Sequence, residues 1–254
     1  MDFIAFAACY GLIVSTVDYG RWMRCPTEDH PHKRNGAFIH YGDYAVLKNH
    51  ATMDHCEKWQ PDKDVEIDIT EVRRLKAKAE RDRRMERKQA ATKADWIIKQ
   101  GVLERHAYLE SKGFPAMRGV VWRPREDENL LIIPMYIGST LVGLQMIGRD
   151  GGKRFLTGQR TNGAEYVIDA RGPDYFLEGY ATGLSLQALL SAIKRPYRIH
   201  ICFSAHNMSR IAKTAPSGIV IADNDVSGVG EKAAKVTGRP YILPPEGDLN
   251  DLHR

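Results

Sequence analysis

The hydrophobic pattern of this chain changes character several times. Apolar residues run almost unbroken from Phe3 to Val14, and residues 1–20 read as a buried amphipathic helix ending near Gly20. Residues 21–69 are rich in His, Gly, aromatics and turn signals. Alternation over 37–40 and 44–47 predicts short antiparallel strands joined at Tyr41, Gly42 and Asp43, with Asn35-Gly36 as a further turn signal. Residues 70–112 are strong helix formers, stopped by Gly113, Phe114 and Pro115.

Beyond that stop the β-character rises. The runs VVW, LLIIPMYI, TLVGLQMI and RFL predict an antiparallel sheet with turns at 126–129, 137–139 and 150–152. From Tyr175 strands alternate with helices: strands over 175–178, 198–203, 218–222 and 241–243, helices over 181–194, 208–214 and 227–237. This alternation argues for a small parallel α/β sheet, in which ligands bind beyond the carboxyl ends of the strands.

Composition narrows the class. Across 254 residues, 43% are hydrophobic and 27% charged, which suits a soluble globular chain and excludes pervasive disorder. Cys9, Cys25, Cys56 and Cys202 are scattered, which argues against a disulfide scaffold and for a reducing, cytoplasmic setting. The apolar run at the start is too short to span a bilayer and lacks the basic start of a signal peptide, so no membrane is expected.

The net charge is +5. Residues 71–88 alone hold nine Lys/Arg against four Asp/Glu, an excess equal to that of the whole chain. Such a run is either a solvated helix face or a track for nucleic-acid phosphates.

Carboxylates recur at three strand ends: Glu178 after the first, Asp223 and Asp225 after the third, and Asp248 and Asp251 after the fourth. Crowded carboxylates repel one another and raise each other's pKa. A divalent cation relieves that cost, and hard oxygen ligands select Mg²⁺ or Mn²⁺. Taken singly, the same acids also suit helix caps, Asp225 in particular.

The segments EGYATGL and IADNDVSGVGEKAA resemble the acidic signatures of the Toprim domain, shared by bacterial primases, topoisomerases, some nucleases and recombination mediators. Together with PMYIGSTLVGLQMIGRDGGKRFLTG, PPEGDLNDLH and the opening RCPTEDHPHKRNGAF, the chain is similar to phage and plasmid primases. The resemblance covers most of the chain, with its most specific motifs in 130–252. It implies an N-terminal nucleic-acid-recognition module (1–69), a basic helical linker (70–112), a mixed β subdomain of the polymerase core (113–172) and an α/β Toprim domain (173–254). It also implies RNA primer synthesis on single-stranded DNA from ribonucleoside triphosphates, with one or two Mg²⁺ or Mn²⁺ ions and a replicative helicase as partner.

By the same resemblance, Glu178 is a general base or metal ligand, Asp223 and Asp225 hold metal, and Asp248 and Asp251 complete the site. Lys153 and Arg154 face the nucleotide or template, although a solvated hairpin explains them equally well. Arg24, Lys33, Arg34, Arg83, Arg84 and Arg87 are the expected nucleic-acid contacts. Trp22, Phe38, Tyr41, Tyr44 and Trp59 either stack unpaired bases or form a small core.

The chain departs from many primases in lacking paired CxxC motifs. Cys25, His30, His32, His50, His55 and Cys56 are conceivable zinc ligands, but their spacing is not that of a structural zinc site, so zinc is disfavoured. No P-loop pattern occurs. Two alternatives share the Toprim pattern: a non-catalytic DNA-binding recombination mediator and a nuclease.

Overall fold

The computed structural model describes residues 1–62 and 69–254. Residues 63–68, which the expected module 1–69 includes, lie outside the described residues. The chain is mixed α/β and divides into two compact units, Met1–Met85 and Glu86–Arg254.

The first unit opens with α1 (Phe3–Cys9), capped by Asp2, whose carboxylate accepts from the Ala5 amide at 2.8 Å. The helix is far shorter than the 1–20 expected. Gly11 takes a left-handed φ of 71°, and Ile13, Val14, Thr16 and Val17 that follow are β-branched residues that favour extended backbone. Four strands then form an antiparallel sheet in the order β1 (Trp22–Cys25), β2 (Gly36–His40), β3 (Ala45–Asn49) and β4 (Glu57–Trp59). The expected hairpin at 41–43 joins β2 to β3, with His40 opposite Ala45. The Asn35-Gly36 turn is corrected: Gly36 lies inside the sheet, paired to both Cys25 and Asn49. A side chain there would meet Cys25 Sγ at 2.6 Å, which explains the glycine. Phe38, Leu47 and Trp59 pack onto Phe3, Ala7 and Leu12.

The basic segment lies on α2 (Ile69–Gln100). Its C-terminal apolar stripe, Ala90, Ala94 and Ile97, is buried against Leu130, Ile132 and Leu144. The helix expected to reach 112 ends at Gly101, where a Cβ would run into Val120. The chain then pairs as β5 (Val102–Glu104) and forms only a short α3 (Ala107–Ser111) before Gly113.

In the second unit, β5, β6 (Gly119–Arg125), β7 (Glu128–Ile137), β8 (Thr140–Ile147) and β9 (Lys153–Phe155) form an antiparallel sheet in that order. The uninterrupted run in β7 follows from burial on both faces. Leu130 and Ile132 face α2, while Leu131 and Ile133 join a core with Leu177, Leu184, Ile199 and Ile201.

Those last residues belong to a second five-stranded sheet, ordered β10 (Tyr166–Asp169), β12 (Arg198–Ile201), β11 (Asp174–Leu177), β13 (Ile219–Ile221) and β14 (Tyr241–Ile242). Its neighbours β12, β11, β13 and β14 are parallel, as the alternation predicts, with α4 (Tyr180–Ala192), α5 (Ala205–Thr214) and α6 (Val229–Lys235) as connections. The sheet is not purely parallel: β10, absent from the expectation, adds an antiparallel edge. α7 (Leu249–His253) follows β14. Among the described residues, no helix is long and apolar enough to cross a membrane.

A half-buried ionic chain fastens β10 to this sheet. His200 Nδ1 lies 2.8 Å from Glu165 and Nε2 lies 3.1 Å from Asp174, with the ring stacked on Phe176. Burial by itself lowers the imidazole pKa, but the two carboxylates outweigh it and the net shift is upward. The stabilisation from protonated His200 is therefore complete below the unfolded-state pKa and is lost as pH rises through the folded one. The melting temperature of wild-type protein should fall between pH 6 and pH 9 more steeply than that of His200→Gln. Parallel curves would show that the imidazole charge contributes nothing there.

Candidate active site

The loops after β13 and β14 are laced together. The Asn224 amide donates to the Gly247 carbonyl at 2.7 Å, and the Gly247 amide returns a bond at 3.0 Å. The Asn224 side chain donates to the carbonyls of Pro244 and Pro245, both at 2.9 Å. This draws Asp223 and Asp248 towards each other. Parallel pairing of β11 with β13 places Glu178, which follows β11, beside them. Gly230 lets α6 approach the Asp223 backbone, since a Cβ there would collide with it.

Glu178, Asp223 and Asp248 line a cleft of about 510 Å³. Arg149, Lys153 and Lys112 line it as well, and Arg254 contributes at its margin. Glu178, Asp223 and Asp248 follow strands of the parallel sheet, whereas Arg149 and a fourth acid, Asp150, lie in the β8–β9 turn and Lys153 opens β9. Burial pushes the Asp223 pKa up to about 7, reinforced by Glu178 and Asp248 and only partly offset by Lys153. Burial likewise raises Glu178, against the pull of Lys153 and a hydrogen bond from the Ala205 amide.

The remaining expected residues are placed differently. Asp225 lies within electrostatic reach of Glu178 and Asp223, but its carboxylate is exposed and accepts from Ser227 Oγ and, at 3.0 Å, from the Gly228 amide. Asp251 does not line the cleft. Its carboxylate accepts from the Asp248 amide at 3.1 Å while Asp248 accepts from the amides of Asn250 and Asp251, a reciprocal cap that starts α7. Arg154 is ion-paired with Glu128 and stands outside the cleft.

In the first unit, Arg24, Lys33 and Arg34 are exposed. On α2, Arg84 is exposed and Arg87 half-buried, while Arg83 donates to the Gly20 carbonyl and to Glu80. Phe38 and Trp59 are core residues, and Tyr41 stacks on Tyr44 with centroids 4.6 Å apart beneath Lys76. Trp22 is exposed. Of the conceivable zinc ligands, Cys25 is packed in the hydrophobic core, where burial raises its thiol pKa, and His55 bonds Glu57.

Among the described residues, no three His, Cys, Asp or Glu side chains stand close enough together to enclose a metal ion. The donor chemistry of the cleft nevertheless suits a hard divalent cation. Its acids supply oxygen only, and Asp223 Oδ1 is buried without a hydrogen-bond partner. No protein-family model matches this chain.

Tyr108, Lys112 and Arg149 line the cleft without having been anticipated. Arg149 had a signal: it stands in the same basic turn as Lys153, GRDGGKR. Tyr108 had none, since it falls within the stretch 70–112, which reads only as helix.

Proposed function

We propose that this protein is a Toprim-type DNA primase, joining ribonucleotides into short primers on single-stranded DNA. One observation carries the reading: a single cleft gathers the carboxylates of Asp150, Glu178, Asp223 and Asp248 with the cations Lys112, Arg149, Lys153 and Arg254, the mixture of charge a nucleotide polyphosphate and its counter-cation require. The parallel order of β12, β11, β13 and β14, with acids at the ends of β11 and β13, supports a Toprim arrangement.

Glu178, Asp223 and Asp248, with Asp225 beside them, would hold Mg²⁺ or Mn²⁺ once drawn closer together than they stand in this structure, where no three of them enclose an ion. Bound there, the ion supplies charge neutralisation at phosphate oxygens and acidifies a ribose hydroxyl. Lys153, Arg149 and Lys112 bind and orient the triphosphate. Where Glu178 does not ligate the ion, its carboxylate, with its raised pKa, would instead be the general base that accepts a proton from the attacking 3′-hydroxyl. The basic face of α2 attracts template phosphates.

The deciding assay combines single-stranded DNA, all four ribonucleotides and Mg²⁺ or Mn²⁺. New short oligonucleotides support the primase; shortened DNA instead indicates a nuclease, and DNA binding without either product indicates a mediator. Within that assay Lys153→Ala should cost about tenfold or more in kcat/KM, whereas Arg154→Ala, whose guanidinium is held by Glu128, should cost under about twofold. Equal losses would return both residues to one role.

Charge reversal at Arg84 and Arg87 should weaken DNA binding and flatten its dependence on salt by about two units of slope, roughly one per lost phosphate contact. An unchanged slope removes α2 from the interface.

A further inference from the structure

Tyr108 is one of the residues that line the cleft, and only 2% of its surface is exposed. Its ring belongs to the core formed by Leu109, Leu131 and Ile147. One edge of the ring rests near the β8–β9 turn, Cδ2 and Cε2 being 3.8 and 3.9 Å from where a Cβ on Gly151 would sit. Asp248 lies within electrostatic reach of the phenol. Tyr108 is thus next to the cationic turn and next to an acid.

A buried tyrosine hydroxyl ordinarily finds a hydrogen-bond partner. Among the described residues none bonds this one, although the Tyr108 amide is engaged by His106 Nδ1 at 3.2 Å. The fully enclosed side-chain oxygens that lack partners include Asp223 Oδ1 but not the Tyr108 phenol. Its oxygen is therefore not fully enclosed, on a residue that lines the cleft. Burial, reinforced by Asp248, pushes the phenol pKa up to about 12, so the group is a neutral donor throughout the physiological range.

We infer that Tyr108 donates a hydrogen bond to a phosphate oxygen of a nucleotide polyphosphate held between the acids and the cations of this cleft. The inference deepens the functional reading above and rests on it. Phosphate oxygens are acceptors, and polyphosphate is the part of a metal–nucleotide complex that both walls attract. An uncharged donor serves it without repelling Arg149 and Lys153 and without adding to the carboxylates.

The test is calorimetric titration of the full chain with Mg²⁺·ATP and, separately, with magnesium tripolyphosphate. Both probes should bind the wild type, and Tyr108→Phe, which removes a single oxygen, should weaken both about tenfold or more. As a check that does not rely on the variant being well folded, wild-type protein carrying ¹³Cζ-tyrosine should show the Tyr108 resonance shift on addition of tripolyphosphate. Affinities within about twofold for the Phe variant, or an unmoved Tyr108 resonance, overturn the inference while leaving the functional reading in place. A loss confined to ATP, with tripolyphosphate unaffected, also overturns it, because the contact would then be to sugar or base. Failure of the wild type to bind either probe sinks the functional reading, and the inference with it.

Discussion

Asp223→Asn should abolish primer synthesis, by about 100-fold or more, and at the same time make the metal-free protein harder to unfold above pH 7. The two effects share one cause. Asp223 is enclosed among Glu178, Asp248 and Asp225, and its folded pKa is about 7, far above that of an unfolded aspartate. Between about pH 4 and pH 7 the folded state holds a proton that the unfolded state has released. Stability from this group is therefore complete at low pH and declines as pH rises to about 7, above which the penalty is constant. Asparagine removes it. With solvent screening of a partly open site, the gain is about 2 kcal/mol, read as a rise of a few degrees in melting temperature at pH 8.

The same proton competes with a cation. Below about pH 7, affinity for Mg²⁺ should fall up to about tenfold per pH unit in the wild type and be weak at every pH in Asp223→Asn. A variant that keeps full activity, or a wild type whose Mg²⁺ affinity is flat from pH 5 to pH 8, would remove Asp223 from the centre of the chemistry.

Gly230→Ala is expected to damage both fold and activity through backbone contact alone. The new Cβ would strike the Asp223 carbonyl and stand 3.0 Å from its amide nitrogen. Backbone cannot rotate aside as a long side chain does, so either α6 or the Asp223 loop must shift. The cost is about 2–4 kcal/mol, and the melting temperature should drop by roughly 5 °C or more. Activity should fall further than the unfolded fraction explains, because the displaced loop carries Asp223. A melting temperature within about 1 °C of wild type would mean that α6 yields without strain.

Much of the architecture was legible wherever local pattern and tertiary burial agree. The hairpin of β2 and β3, the antiparallel runs of β6–β8 and the strand–helix alternation after Tyr175 all show this agreement. The departures have separate causes. The apolar run at 3–14 predicts one helix because periodicity does not register the left-handed Gly11. The helical composition of 70–112 masked Gly101, where contact with Val120 leaves no room for a side chain. β10 is short and amphipathic, and only its long-range pairing with β12 makes it a strand. In the cleft, strand ends pointed to Glu178, Asp223 and Asp248. Asp251 looked equivalent in sequence, but a reciprocal cap with Asp248 occupies its carboxylate. Lys153 and Arg154 are adjacent in the chain and alternate in direction along β9, so only one enters the cleft.

The division of labour between the sheets has a practical corollary. Because Glu178, Asp223 and Asp248 follow strands of the parallel sheet while Arg149, Asp150 and Lys153 sit between and at the start of neighbouring antiparallel strands, the two groups can be edited separately. Redesigning the β8–β9 turn should alter which polyanion is preferred while the carboxylate trio keeps its spacing. Editing the β13 loop should do the converse. Ligand choice and reactivity meet at Lys153, whose charge pulls down the pKa of both Glu178 and Asp223.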